Sequence, residues 1–158
     1  MKRIFEIDEV DSLKELIGNK VVLVGGCFDI LHLGHIDFLE KAKEQGEVLV
    51  VLIEEDEKIR KDKGEGRPVN NQDNRALLLS KLQMVDYVVK LKEMKSDEDY
   101  DEVVKKIKPA IIAITEGDER VEKKKKQAKE IRAEVIEVSK LIPQQSSSQI
   151  IEIISKKE

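Results

Sequence analysis

Short, continuous apolar runs divide the chain: Val21 to Val24, Val48 to Ile53 and Ala110 to Ile114, with Val85 to Val89 broken only by Asp86. Runs without alternation suit parallel strands covered on both faces, so each reads as a buried strand. Strand one is placed from about Lys20 to Gly25, and Glu134 to Val138 reads as a fifth strand. Between the runs, apolar positions recur at helical spacing. Val10, Leu13, Leu16 and Ile17 form a stripe stopped by Gly18-Asn19. Ile36 to Ala42 ends at Gln45-Gly46, Gln72 to Gln83 carries Ala76, Leu78, Leu79 and Leu82, and Asp97 to Lys106 reads as a short helix. A longer helix runs from Glu119 to about Ala133, and a last one follows Ser146-Ser147-Ser148 with Ile150, Ile151, Ile153 and Ile154. Helix and strand alternate throughout. The expected fold is therefore α/β: a single Rossmann-like, doubly wound domain over residues 1–158 with a five-stranded parallel sheet, residues 1–19 being a helical lead-in. The charged stretch from Glu54 to Lys63, followed by the turn-rich Gly64-Glu65-Gly66-Arg67-Pro68-Val69-Asn70-Asn71, predicts a mobile loop.

Composition narrows the function classes. With 158 residues and 40% hydrophobic content, one core is enough. Aromatics are 3%, so Ile, Leu and Val must fill it. Charged residues reach 39%, well above the usual quarter, which fits a Lys- and Glu-rich surface of thermophile type. The formal net charge of −4 argues against a general nucleic-acid binder. One Cys allows no internal disulfide, no run is long enough to span a membrane, and the first residues lack the apolar core of a signal peptide; a cytoplasmic protein is expected.

The chemistry concentrates in Gly25-Gly26-Cys27-Phe28-Asp29-Ile30-Leu31-His32-Leu33-Gly34-His35. A buried strand leads into it and a helical pattern leads out. Both histidines of the chain stand here, three residues apart, so a helix starting near Leu33 puts both rings at its N-terminal end. Backbone N–H groups and the positive end of the helix dipole point the same way, and the natural ligand is an anion such as phosphate. Two histidines alone would also be half a metal site, but only Cys27 and Asp29 stand near, and no metal ligand is assigned. The glycines do not fit Gly-x-Gly-x-x-Gly, and no Gly-Lys-Ser/Thr follows to make a P-loop. Lys123 to Lys126 reads as a solvated helix face. One serine of Ser146–Ser148 suffices to cap the last helix, and the other two would add a second phosphate cradle.

The ten residues from Gly26 to His35 resemble the His-x-Gly-His signature of the small α/β nucleotidyltransferases, a superfamily that includes cytidylyltransferases and adenylyltransferases. The resemblance extends along the chain. Ser146-Ser147-Ser148-Gln149-Ile150 is similar to the family's Ser-Thr-Thr-x-Ile, and Gly117-Asp118 to its Gly-Asp loop. Lys63-Gly64-x-x-Arg67-Pro68-Val69-Asn70, Arg75 and the Val85 to Val89 strand resemble heptose-phosphate adenylyltransferase domains. Lys92 instead matches a phosphate-binding lysine of the cytidylyltransferases acting on glycerol 3-phosphate. That same branch carries an arginine where Leu141 stands here, so the signals for the substrate conflict.

The resemblance implies transfer of a nucleotidyl group, AMP favoured, from a nucleoside triphosphate to a phosphorylated small molecule, with pyrophosphate released. The alternatives it leaves are a cytidylyltransferase acting on glycerol 3-phosphate or a similar alcohol phosphate, and a nucleotide-binding module without turnover. His32, His35, Lys63 and Ser148 would be catalytic. Gly26, Cys27, Phe28, Asp29, Gly34, Arg75, Gly117, Asp118, Ser146 and Ser147 would bind nucleotide, and Asp29 and Lys92 the substrate. Mg²⁺ would enter with the triphosphate, with Asp29 a possible helper. The expected partners are ATP or CTP, the phosphorylated substrate, and a second copy of the chain in a homodimer, with no nucleic acid and no membrane.

Overall fold

The structure is a computed structural model that describes residues 1–157. The strands are β1 (Ile4–Glu6), β2 (Val21–Gly26), β3 (Val48–Ile53), β4 (Tyr87–Lys90), β5 (Ile111–Thr115) and β6 (Glu134–Ser139). The α-helices are α1 (Val10–Leu16), α2 (Leu33–Lys43), α3 (Asp56–Lys63), α4 (Gln72–Ser80), α5 (Asp97–Ile107), α6 (Val121–Ile131) and α7 (Ser147–Ser155), with a 3₁₀ turn at Ile7–Glu9. All strand pairs are parallel, in the order β1-β4-β3-β2-β5-β6.

The sheet has six strands, not five. β1 escapes sequence reading because it is three residues long and sits at an edge, where two apolar side chains suffice. Its register is set by Ile4 opposite Val88 and Phe5 opposite Val89. Arg3 fastens this edge by donating to the backbone carbonyls of Leu82, Val85 and Asp86. The central strands follow the apolar runs because both of their faces are buried. One face packs Leu23, Val50, Leu52 and Ile112 with Leu13 of α1, Val104 of α5 and Ala128 of α6. The other packs Val22, Val24, Leu49 and Val51 with Leu39 and Ala42 of α2 and Ala76 and Leu79 of α4.

The second departure is α3, in the stretch expected to be a mobile loop. Only Ile59 is buried in it, so no apolar stripe shows in the sequence. Charge placement holds it instead. Asp56 and Glu57 lie in its first turn and Arg60, Lys61 and Lys63 in its last, which suits the helix dipole, and Lys58 pairs with Asp62 at 2.8 Å. Gly64 ends it at φ 95°.

β3 lies on one side of β2 and β5 on the other, so the connections diverge between β2 and β5. In such sheets the crevice beyond the strand C-termini at that point takes the ligand. The return from α2 to β3 is tight: a Cβ on Gly46 would lie 2.6 Å from the Lys20 carbonyl oxygen and 2.7 Å from a Val22 methyl. Gly46→Ala is expected to lower unfolding stability by about 1–3 kcal/mol, because backbone must move to admit the methyl. Urea denaturation measures this, and an unchanged midpoint would contradict the close approach.

Candidate active site

β2 ends at Gly26 and the chain turns through Cys27 to Leu31 before α2 begins. Phe28 takes φ 51°, a left-handed conformation that a bulky side chain adopts only when its surroundings hold it there. Its ring folds back over Gly26, where a Cβ would meet it at 3.0 Å, and packs 5.1 Å from the His35 ring.

His32 is the N-cap of α2, and its Nδ1 accepts from the Gly34 N–H at 3.1 Å. A neutral His32 therefore carries its proton on Nε2. His32 and His35 stack with centroids 3.7 Å apart and planes tilted by 27°. Gly34 leaves room for this, since a Cβ there would lie 2.9 Å from the His32 ring. Burial, His32 and Lys63 push His35 down to about 4, and burial lowers His32 below the usual imidazole value. Both rings are thus neutral near pH 7. The Nδ1 of His35 is enclosed and has no hydrogen-bond partner among the described residues. The helix end is less open than its position suggests, because the Leu33 N–H donates to Gln145 Oε1 at 3.3 Å and the Gly34 N–H to His32.

The three serines arrive at the same place but divide their work. Ser146 caps α7 by accepting from the Gln149 N–H at 3.1 Å. Ser147 is buried and donates to the Ile30 carbonyl at 2.9 Å, which ties α7 to the turn after β2. Ser148 accepts from Arg67 Nη1 at 3.2 Å. Only Ser148 is exposed; a role for Ser147 as a phosphate ligand would first require breaking its bond to Ile30.

Asp29, expected to touch nucleotide, substrate and metal, faces inward. Its carboxylate accepts from Arg67 Nε, the Val69 N–H and the Asn70 N–H, each at 2.9 Å. Burial would raise its pKa, but the Asn70, Val69 and Arg67 donors outweigh that and hold the carboxyl below the usual range. Arg75 is fully buried as well. It donates to the carbonyls of Asn70, Cys27 and Glu54 and to Asp56 Oδ1 at 2.7 Å, so its place is behind the site, holding three loops, rather than against a nucleotide. Lys92 does not join the histidines: it lies at the β1 edge and pairs with Asp8 at 2.9 Å. Asp118 lies in the turn before α6, its carboxylate accepting from the Arg120 N–H and from Lys124. With Gly117 it follows β5, across the crevice from the turn after β2. Lys63 ends α3, exposed, close enough to His35 for its charge to be felt there.

Sequence reading passed over Arg67 as a functional side chain. Its side chain is 10% exposed, it joins Asp29 to Ser148, and its Nη2 is a buried donor without a partner among the described residues. The available signal was the pairing of one buried-type Asp with an Arg in the Arg67-Pro68-Val69-Asn70 step. Beside this cluster a cavity of about 680 Å³, bordered by Gly26, Cys27, Glu54, Tyr100 and Arg120, opens toward α5 and α6.

Comparison with known proteins shows the family of the chain. A family model described as cytidylyltransferase-like matches residues 23–155. The bifunctional protein HldE of Helicobacter hepaticus is 40% identical over 144 residues, 91% of this chain and 28% of that protein. HldE of Aliarcobacter butzleri is 43% identical over 112 residues, 71% of this chain and 23% of that protein. The chain thus spans about a quarter of the length of these relatives. Among solved structures, a lipopolysaccharide core biosynthesis protein from Thermoplasma volcanium is 29% identical with a TM-score of 0.62, covering 79% of this chain and 98% of that one. Pantoate-beta-alanine ligase from Francisella tularensis, 18% identical with a TM-score of 0.68, covers 99% of this chain and 77% of that one, and shares the fold. No helix among the described residues is long and apolar enough to cross a membrane.

The depressed His35 value has a measurable consequence. Because the folded pKa lies near 4 and the free value is 6.5, the neutral ring's contribution to stability is complete above about pH 6.5 and is lost as pH falls toward 4. From about pH 7 to about pH 5 the native protein should lose about 2 kcal/mol more stability than His35→Asn, the carboxylates being common to both. Parallel denaturation curves for the two proteins at both pH values would contradict the buried, neutral ring.

Proposed function

We propose, starting from the fact that this chain belongs to the cytidylyltransferase-like family, that it transfers a nucleotidyl group from a nucleoside triphosphate to the phosphate of a sugar phosphate. The observation that carries this reading is the stacked His32–His35 pair at the start of α2, facing the α7 serines across the turn that ends β2. Similarity to the HldE proteins and the Gly66-Arg67-Pro68-Val69-Asn70 step favour ATP over CTP, as does Leu141 in place of an arginine.

A phosphate oxygen of the acceptor attacks the α-phosphorus in line. A new P–O bond forms, the bond from the α-phosphorus to the α–β bridging oxygen breaks, and pyrophosphate leaves with that electron pair. The protein makes no covalent bond, so positioning and charge neutralisation carry the rate. His32 donates from Nε2 to the phosphate chain as charge moves toward the leaving group. An arriving polyanion favours protonation of both rings and so opposes the depression that burial imposes in the free protein. Lys63, at the end of a helix followed by Gly64 and Gly66, swings in to neutralise the same charge. Ser148 and the unpartnered Nη2 of Arg67 complete the donor set on the α7 side.

Mg²⁺ would enter bound to the triphosphate, where it neutralises phosphate charge. Asp29 does not fit as its ligand, since both of its oxygens already accept hydrogen bonds and the side chain is enclosed. The metal would therefore be held by phosphate oxygens and water. A homodimer and a cytoplasmic location belong to the same proposal.

Pyrophosphate release from Mg-ATP or Mg-CTP across a panel of sugar 1-phosphates and glycerol 3-phosphate tests the reading. Release with ATP and a sugar phosphate is expected; nucleotide binding without release in any combination would overturn it. In the same assay His32→Ala or His35→Ala should lower kcat about 10²–10³-fold, the scale of losing a donor to the transition state. Lys63→Ala should lower it about tenfold or more. Near-normal turnover in the histidine variants would remove them from the mechanism.

A further inference from the structure

The cavity toward α5 and α6 holds a carboxylate that no step above uses. Glu54 follows β3, and its N–H donates to the Gly26 carbonyl at 3.2 Å, so it stands directly beside the turn that ends β2. Its side chain is only 11% exposed. The Tyr100 hydroxyl, from α5, reaches both of its oxygens, at 2.9 and 3.1 Å, and Arg120 lies 3.5 Å away at the start of α6.

A carboxylate offers about four lone-pair sites, and one hydroxyl proton fills one of them. The Arg120 contact is long for a hydrogen bond. Glu54 therefore keeps acceptor capacity on the wall of a cavity that also carries Leu23, Leu52 and Ile112, and an unfilled acceptor in such surroundings is costly. The cavity volume of about 680 Å³ is in the range of small-molecule sites. Its cations are unequally committed. Lys58, Lys123 and Lys124 pair with Asp62, Asp97 and Asp118, whereas Lys61 and Lys95 have no carboxylate partner among the described residues and Arg120 has only the long contact.

We propose that this cavity binds the acceptor, with Glu54 accepting hydrogen bonds from the hydroxyls of a polyhydroxylated sugar phosphate and Arg120 acting as counter-ion to its phosphate. Tyr100 is a positioning residue that holds the Glu54 carboxylate. The inference rests on the nucleotidyl-transfer reading and names the side chains that select its acceptor. Because Glu54 adjoins Gly26, a sugar held there has its phosphate within reach of a nucleotide lying on the turn. Arg120 leaves Glu54 for that phosphate, and the sugar hydroxyls take up the acceptor sites it vacates.

Two measurements separate this inference from the reading beneath it. Calorimetry with a panel of sugar 1-phosphates and no nucleotide should show binding to the native protein that weakens at least tenfold in Glu54→Gln and in Tyr100→Phe. Kinetics with Mg-ATP should show the acceptor KM raised at least tenfold in both variants while the ATP KM stays within about twofold. Glycerol 3-phosphate, with fewer hydroxyls, should feel the Glu54→Gln change less. A rise in the nucleotide KM instead would make the cavity the base pocket and overturn the inference, as would sugar phosphate binding that neither variant weakens, or no binding of any sugar phosphate. Sugar phosphate binding that depends on Glu54, with no transfer from ATP or CTP, would uphold the pocket and defeat the nucleotidyl-transfer reading alone. Tyr100→Phe deletes one hydroxyl from a half-buried ring, so it keeps the test open if Glu54→Gln fails to fold.

Discussion

The site depends on one buried ion pair. Asp29 and Arg67 meet 38 positions apart, and the carboxylate also fixes the Val69 and Asn70 N–H groups. Removing either partner would leave an uncompensated buried charge, a penalty of about 3–5 kcal/mol. The pair therefore over-determines the backbone from Cys27 to Leu31, where Phe28 holds its left-handed conformation. Arg67 extends the constraint to Ser148, and Ser147 clasps Ile30 from the same helix. Two distant segments are locked around one turn, and the histidines stand at the exit of that turn.

This rigidity explains the electrostatics. A flexible, wet loop would leave both imidazoles near their ordinary values; a stacked pair beside Phe28 and Lys63 is held neutral instead. The free site holds unmet hydrogen-bonding groups, Arg67 Nη2 and His35 Nδ1 being enclosed and unpartnered among the described residues. A triphosphate bound beside them would supply partners for these groups once the turn admits it, and the pre-set rings would then meet charge as it moves. The neighbouring cavity differs, with a carboxylate that has acceptor sites to spare, and under the proposal above it would take the hydroxylated acceptor beside the nucleotide.

How far the sequence could be read follows from the physics of each part. The central strands were legible because burial on both faces writes itself as unbroken runs such as Val48 to Ile53. β1 was not, because three residues at an edge carry no period. α3 was hidden because paired charges rather than an apolar stripe sustain it. At the site, Gly26 to His35 and the three serines were legible as motifs, but motifs do not say which way a side chain points. Asp29 and Arg75 stand in the motifs as ligand contacts, yet in the fold both are enclosed and held by partners contributed from distant loops. Arg67 and Glu54 went unread for the same reason. Their significance lies in burial and in which donors or acceptors stay unfilled, and only the folded chain determines that.

The most direct test follows the phosphorus of ATP by ³¹P NMR with Mg²⁺ and a sugar 1-phosphate. The account predicts that the α-phosphorus of ATP and the acceptor's phosphorus become a coupled pair in a diphosphate diester, with pyrophosphate appearing in equal amount. Formation of ADP with the γ-phosphoryl group on the sugar, or of AMP and pyrophosphate with the acceptor unchanged, would contradict it.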